Sequence, residues 1–192
     1  MIVIADEIHA PLALPGATHV PFLTVSAAAA RRGVCLTSPS KTWNLAGLKT
    51  ALIVTGAPEA KARIARLGPE LAWHAGHLGV VAARAAYLEG EPWRQQVLAI
   101  LDRNRALLAE LLAAALPEIR YRPPEAGYLA WLDCRELGLD RDPYAVFLDR
   151  GRVALSPGPG FGPGGAGHAR LNIATTRALL EEAVARMARA VR

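Results

Sequence analysis

One lysine set in a polar turn between two apolar runs constrains this chain more than any other feature. Gly33-Val34-Cys35-Leu36 is short and apolar, Thr50-Ala51-Leu52-Ile53-Val54-Thr55 is apolar and β-branched, and both read as strands. Between them runs Thr37-Ser38-Pro39-Ser40-Lys41-Thr42-Trp43-Asn44-Leu45-Ala46-Gly47-Leu48, which places Lys41 on a strand-to-strand loop. A surface lysine needs no such setting. A lysine that must bond covalently to a carbonyl compound has to be held against its partner and kept partly unprotonated by nearby cations or desolvation. Lys49 is close enough in sequence to help with the second task.

The flanking segments alternate strand with helix. Met1-Ile2-Val3-Ile4-Ala5 is a continuous apolar run with branched residues, the pattern of a strand buried on both faces of a parallel sheet, and it ends in Asp6. Ligands of open α/β sheets gather at the carboxyl ends of strands, so Asp6 either faces a ligand there or simply turns the chain. His19 lies in a Pro- and Gly-rich loop from Pro11 to Pro21 and is expected to be exposed. Ser26–Arg32 reads as an Ala-rich helix closed by Gly33, Pro58–Leu67 as a helix ending at Gly68, and Leu71–Leu88 as another. His74 and His77 on that last helix have no carboxylate or cysteine to complete a metal set, so they read as packing residues and no metal is assigned.

Glu91–Leu116 carries the longest helical pattern, bounded by Pro92 and Pro117, and its apolar spacing does not persist over enough heptads for a coiled coil. Beyond it, Ile119–Arg122, Tyr128–Leu132 and Arg152–Leu155 read as strands and Pro143–Asp149 as a short helix. Ser156–His168 is dense in Gly and Pro but has no Gly-Lys-Ser/Thr and opens no helix, which makes it a flanking loop rather than a phosphate loop. Arg170-Leu171-Asn172-Ile173-Ala174 then reads as a strand and Arg177–Val191 as an amphipathic C-terminal helix. An arginine on that strand can pair with an acid or hold a carboxylate through two parallel hydrogen bonds.

Composition excludes several classes. The 52% hydrophobic and 20% charged fractions describe a globular chain, and the net charge of +5 is spread among acidic residues instead of forming the basic stripe that nucleic acid requires. The apolar stretch Leu107–Leu116 is interrupted by Glu110 and is too short to span a bilayer, so neither a nucleic-acid nor a membrane partner is expected. Cys35 and Cys134 form no metal-spaced pair and read as buried thiols of a cytoplasmic protein.

The Lys41 segment, Asp6-Glu7-Ile8-His9 upstream and Arg170-Leu171-Asn172 near the end together resemble the aspartate-aminotransferase superfamily of pyridoxal-phosphate enzymes. Within it the chain is most similar to the cystathionine β-lyase type, because related aminotransferases usually carry Tyr where His9 stands. The resemblance covers essentially all 192 residues and corresponds to the C-terminal half of the family's usual chain. It implies an α/β fold: residues 1–90 as the remainder of a large pyridoxal-phosphate domain, with a mixed and mostly parallel sheet, and 91–192 as a linking helix and small α+β domain.

The resemblance also assigns roles. Lys41 would carry pyridoxal 5'-phosphate and later remove the substrate's α-proton. Asp6 would face the pyridine nitrogen and His9 the phenolic oxygen, Ser38 and Lys49 would contact the phosphate, and Arg170 would hold the substrate α-carboxylate. The implied reaction is carbon–sulfur cleavage of cystathionine or cysteine conjugates to a thiol, pyruvate and ammonia. An aminotransferase and a non-catalytic remnant are the alternatives. Members are typically homodimers. The family's N-terminal half supplies further cofactor contacts and neighbouring strands, so an uncovered apolar sheet face is expected here.

Overall fold

The structure, a computed structural model, describes residues 1–192 and divides into two compact units, Met1–Leu98 and Ala99–Arg192. The first unit is built on three strands in the order β1–β2–β3: β1 (Val3–Asp6), β2 (Gly33–Thr37) and β3 (Leu52–Thr55). β1 pairs with β2 in parallel, with Asp6 opposite Leu36, and β2 pairs with β3 antiparallel, with Thr37 opposite Leu52. A parallel pair needs a long crossover, supplied here by residues 7–32 ending in α1 (Ala27–Arg32). The Ser26 hydroxyl caps α1 by accepting from the Ala29 N–H at 3.0 Å. Gly33 then begins β2 directly, where a Cβ would come within 2.6 Å of the Ala29 carbonyl oxygen.

β1 departs from the expected two-sided burial. It has one strand neighbour, and its side chains alternate in exposure, with Ile4 68% exposed. The pairing places Ile4 and Asp6 on the same face as Leu36 and Ile53, and Ile2 and Ile53 are also exposed. On this face the apolar side chains of the outer strands are thus uncovered, while Val34 of β2 between them is buried.

Four helices complete this unit or lead out of it: α2 (Pro58–Ile64), α3 (Glu70–Trp73), α4 (His77–Glu89) and α5 (Glu91–Ala115). The single helix expected over 71–88 is broken between α3 and α4, where Gly76 takes an extended conformation and precedes α4. Gly79 then lets α4 lie against the lysine loop, since a Cβ there would sit 2.5 Å from the Leu48 carbonyl oxygen.

The second unit is a four-stranded sheet in the order β4–β5–β7–β6, all neighbours antiparallel: β4 (Arg120–Tyr121), β5 (Leu129–Asp133), β6 (Ser156–Pro157) and β7 (His168–Asn172). Strand alternation sends Ala130, Leu132, Ala169 and Leu171 into the core, joined there by Ile173 beyond the strand. Leu101, Leu108 and Leu112 of α5, Val146 and Phe147 of α6 (Pro143–Asp149), and Leu180, Val184 and Met187 of α7 (Arg177–Val191) are also buried. Each such side chain contributes about 1.5–3 kcal/mol on leaving water. Asn104 interrupts the α5 stripe and donates both amide hydrogens, to the carbonyls of Ile173 and Thr175 at 2.8 Å each.

The strand expected at Arg152–Leu155 does not form. The amides of Gly151, Arg152 and Val153 turn back onto the Phe147 and Leu148 carbonyls at the end of α6, with Arg152 at φ 56°, so they cannot join a ladder. Pairing begins one residue later, at Ser156, and β7 begins at His168, two residues before the expected start.

Candidate active site

Lys41 stands exposed on a turn whose other residues are mostly held inside. Ser38, Pro39 and Thr42 are buried, and Ser40 and Trp43 are half-buried. The Ser38 hydroxyl donates to the Thr50 carbonyl at 2.7 Å, accepts the Ser40 N–H at 3.1 Å, and lies 2.5 Å from the Ser40 hydroxyl. The Trp43 N–H closes on the Pro39 carbonyl at 3.0 Å and the Leu45 N–H on that of Ser40 at 3.1 Å. Asn44 and Lys49 both adopt positive φ, at 56° and 54°, a conformation that costs most residues free energy. The Thr42 hydroxyl is buried without a hydrogen-bond partner, at a cost of about 1–3 kcal/mol.

Asp6 ends β1 at the carboxyl edge of the sheet, and β2 ends at the same edge because the two strands are parallel. The loop bearing Ser38 and Lys41 leaves β2 there. Adjacent strands lie about 4.8 Å apart. Asp6 is exposed, and one of its carboxylate oxygens accepts the Ile8 N–H at 3.2 Å. That contact turns the chain toward His9, which precedes a 3-10 turn over Ala10–Leu12. The next stretch is fastened by Arg94, which donates to the Pro11 carbonyl at 3.1 Å and pairs with Glu91 at 2.7 Å. Asp6, His9, Ser38, Lys41 and Lys49 therefore all belong to the first unit.

Glu7 carries no sequence signal that would single it out. Its carboxylate accepts the Phe22 N–H at 2.7 Å and meets His19 Nε2 at 3.1 Å. Burial disfavours its charged form, but the Phe22 and His19 contacts outweigh that, and Glu7 is held below the ordinary carboxylate range. Burial, reinforced by the Glu7 carboxylate, pushes the neighbouring Cys35 thiol up to about 11. Glu7 thus ties the loop over 19–22 to the sheet immediately beside Asp6.

Arg170 lies on β7 in the second unit, opposite Trp131 on β5 and Ser156 on β6. Its guanidinium carbon stands 4.4 Å over the Phe161 ring, and it donates to the Ser156 hydroxyl at 3.2 Å. Phe161 meets Trp131 edge-on at 5.6 Å, and Trp131 stacks on His168 at 5.3 Å. Asp133, held far below the usual carboxylate range first of all by Arg135, lies 3.7 Å from His168 Nε2. Burial raises Tyr128, with the Arg170 charge acting against it. Arg120, Tyr121, Trp131, Asp133 and His168 border a cavity of about 400 Å3 on this sheet.

Residues 1–187 match the family of class I and II aminotransferases. The chain belongs to that family. Among its relatives, the cystathionine β-lyase of Corynebacterium glutamicum is 37% identical over 194 residues, which cover 97% of this chain and 50% of that protein. The cystathionine β-lyase PatB of Bacillus subtilis (strain 168) is 35% identical over 192 residues, covering 96% and 48%. Cystalysin from Treponema denticola, whose crystal structure contains pyridoxal 5'-phosphate, superposes with a TM-score of 0.89 at 27% identity, covering 99% of this chain and 49% of that one. The chain spans about half the length of the curated relatives it matches. Its mixed α/β architecture is that of half of an aminotransferase-family enzyme.

Proposed function

We propose that this chain carries the lysine-bearing part of the active site of a pyridoxal-phosphate-dependent carbon–sulfur β-lyase. Its substrates in this reading are cystathionine or cysteine conjugates, and its products a thiol, pyruvate and ammonia. One observation carries the reading: an exposed amine on a pinned turn, Lys41, at the same sheet edge as the exposed carboxylate of Asp6. An amine and a carboxylate at neighbouring strand ends, with the Lys49 cation nearby in the chain, suit a planar, anionic aldehyde, so the residues present fit the cofactor.

When bound, the cofactor supplies a conjugated ring into which electrons from the substrate's α-carbon can be drawn. Lys41 would be the residue that attaches the cofactor, and its Nζ would be the base that takes the substrate's α-proton. Asp6 would hold the proton on the ring nitrogen, and His9 would serve the phenolic oxygen. Lys49 and Ser38 serve the phosphate. The Ser38 hydroxyl has a single hydrogen, now directed at Thr50, so its contact with a phosphate requires that hydrogen to turn. Arg170 would hold the substrate's α-carboxylate by two parallel hydrogen bonds and so orient it.

Transamination is the second reading, favoured by the family match itself. In that case Lys41 Nζ would give back the proton it took, and no thiol would leave. His9 favours the lyase. The uncovered face holding Ile2, Ile4 and Ile53 supports association into a homodimer, and two unpaired buried cysteines suit a reducing cytoplasm. No helix is long and apolar enough to cross a membrane.

The test is an absorbance spectrum of purified protein with pyridoxal 5'-phosphate after free cofactor is removed, for wild type and Lys41→Ala. A lysine-bound band present in wild type and lost in the variant is expected, followed by pyruvate release from cystathionine. Folded wild-type protein with no retained band sinks the proposal.

A further inference from the structure

The lysine turn is held by a pair of indole hydrogen bonds running in opposite directions. Trp43 Nε1, on the turn, donates to the Gly90 carbonyl at 2.8 Å. Trp93 Nε1, in the first turn of α5, donates to the Thr42 carbonyl at 3.0 Å. Both bonds are partly buried and join residues about fifty positions apart in the chain. The Trp43 ring also meets Tyr87 of α4 edge-on at 5.2 Å. Gly90, between α4 and α5, admits this docking because it lacks a side chain: a Cβ there would lie 2.8 Å from Trp43 Cδ1 and closer still to Nε1.

These bonds act on the residues immediately after Lys41. On the other flank the Ser38 hydroxyl fastens the turn to Thr50. The lysine backbone is therefore fixed from both sides while its side chain stays exposed. A lysine has four rotatable bonds, and an unfixed backbone beneath them would spread Nζ over many positions. Holding the backbone leaves only the side chain to be ordered when Nζ meets its partner, and part of the entropic cost of orientation has already been met by folding.

We propose that Trp43 and Trp93 are positioning residues for Lys41, acting through a reciprocal indole clamp on its turn. The inference rests on reading Lys41 as the cofactor-attachment residue. Trp43→Phe and Trp93→Phe each keep an aromatic ring and remove one N–H donor. A partly buried hydrogen bond of this type is worth about fivefold in an equilibrium. Two readouts are taken on the full chain: hydrogen exchange at the backbone amides of positions 43 and 45, without cofactor, and the dissociation constant for pyridoxal 5'-phosphate, followed by the lysine-bound absorbance band. Each variant is expected to speed exchange at those two amides about fivefold, to leave β7 amides unchanged, and to weaken cofactor capture by a similar factor.

Trp73→Phe is the control, since Trp73 is 75% exposed at the end of α3; it is expected to change neither readout. Unchanged exchange at the turn in both indole variants overturns the clamp. So does acceleration spread evenly over both units, which marks general destabilisation. Faster exchange at the turn with undiminished cofactor capture overturns the positioning role. Should one variant fail to fold, the other decides, because each removes a separate bond. Wild-type protein that captures no cofactor sinks the proposed function instead, and exchange at the turn still decides whether the clamp exists.

Discussion

Asn104 offers the sharpest quantitative test of how the second unit is held together. Its side chain is 5% exposed within an otherwise apolar stripe, and both amide hydrogens are used at 2.8 Å, on the carbonyls of Ile173 and Thr175. Those carbonyls follow β7, the strand that bears Arg170, and immediately precede Thr176, whose hydroxyl caps α7 by accepting the Leu179 N–H. Asn104→Leu keeps the number and branching of the side-chain heavy atoms but removes both donors. Two net hydrogen bonds of about 1 kcal/mol each are lost. The Ile173 carbonyl keeps the Thr175 N–H at 2.9 Å, so only the half-buried Thr175 carbonyl loses its partner, which adds up to about 1 kcal/mol. The expected loss is therefore about 2–3 kcal/mol, a large share of the stability of an ordinary domain. Urea unfolding followed by circular dichroism gives the difference directly. Asn104→Asp, which has the same shape but presents acceptors to the carbonyls, is expected to lose at least as much. A loss below about 0.5 kcal/mol for Asn104→Leu would refute the reasoning, since the stripe would then be held by apolar packing alone.

Three further outcomes follow from the first unit. Glu7 has a folded-state pKa below its ordinary value of 4.5, so its contribution is fully present above about 4.5 and is lost as pH falls through the lowered value. Urea midpoints taken from pH 7 down to pH 3 should fall less steeply for Glu7→Gln than for wild type, and equal slopes would contradict the network around Phe22 and His19. Gly79→Ala ordinarily gains about 1 kcal/mol in a helix. Here the new Cβ meets the Leu48 carbonyl oxygen at 2.5 Å and Thr50 Oγ1 closer still, so a loss of about 1–3 kcal/mol in thermal or urea unfolding is expected, and a gain would show that α4 does not press on the lysine loop. Ile4→Lys places a charge on the uncovered sheet face and should shift sedimentation velocity toward the monomer; an unchanged distribution would mean that this face takes no part in association.

Local chemistry determined much of the chain. The strands on either side of Lys41, the proline starts of α2 and α6, and both ends of α7 were legible because each depends on residue types that act within a few positions of themselves. The lysine's place on a polar loop between strands was legible for the same reason, as was its relation to Asp6 along the chain. Expectation and structure part where a distant partner or a backbone detail decides the outcome. Arg152–Leu155 has strand-like composition, but the end of α6 captures the amides of Arg152 and Val153. The helical pattern over 71–88 runs through Gly76, whose extended backbone breaks it.

The arrangement around the functional side chains came from tertiary structure alone. No sequence pattern announces that Trp43 will find the Gly90 carbonyl, that Trp93 will find that of Thr42, or that Glu7 will hold Phe22 and His19. Phe161 under the Arg170 guanidinium belongs to the same class, since it comes from the Gly- and Pro-rich loop whose path composition does not define. Sequence by itself supplied the reactive groups and the elements that carry them, because those follow from residue chemistry and short-range periodicity. Which carbonyl, ring or carboxylate each group meets depended on chain segments brought together by burial, and only the folded geometry could decide it.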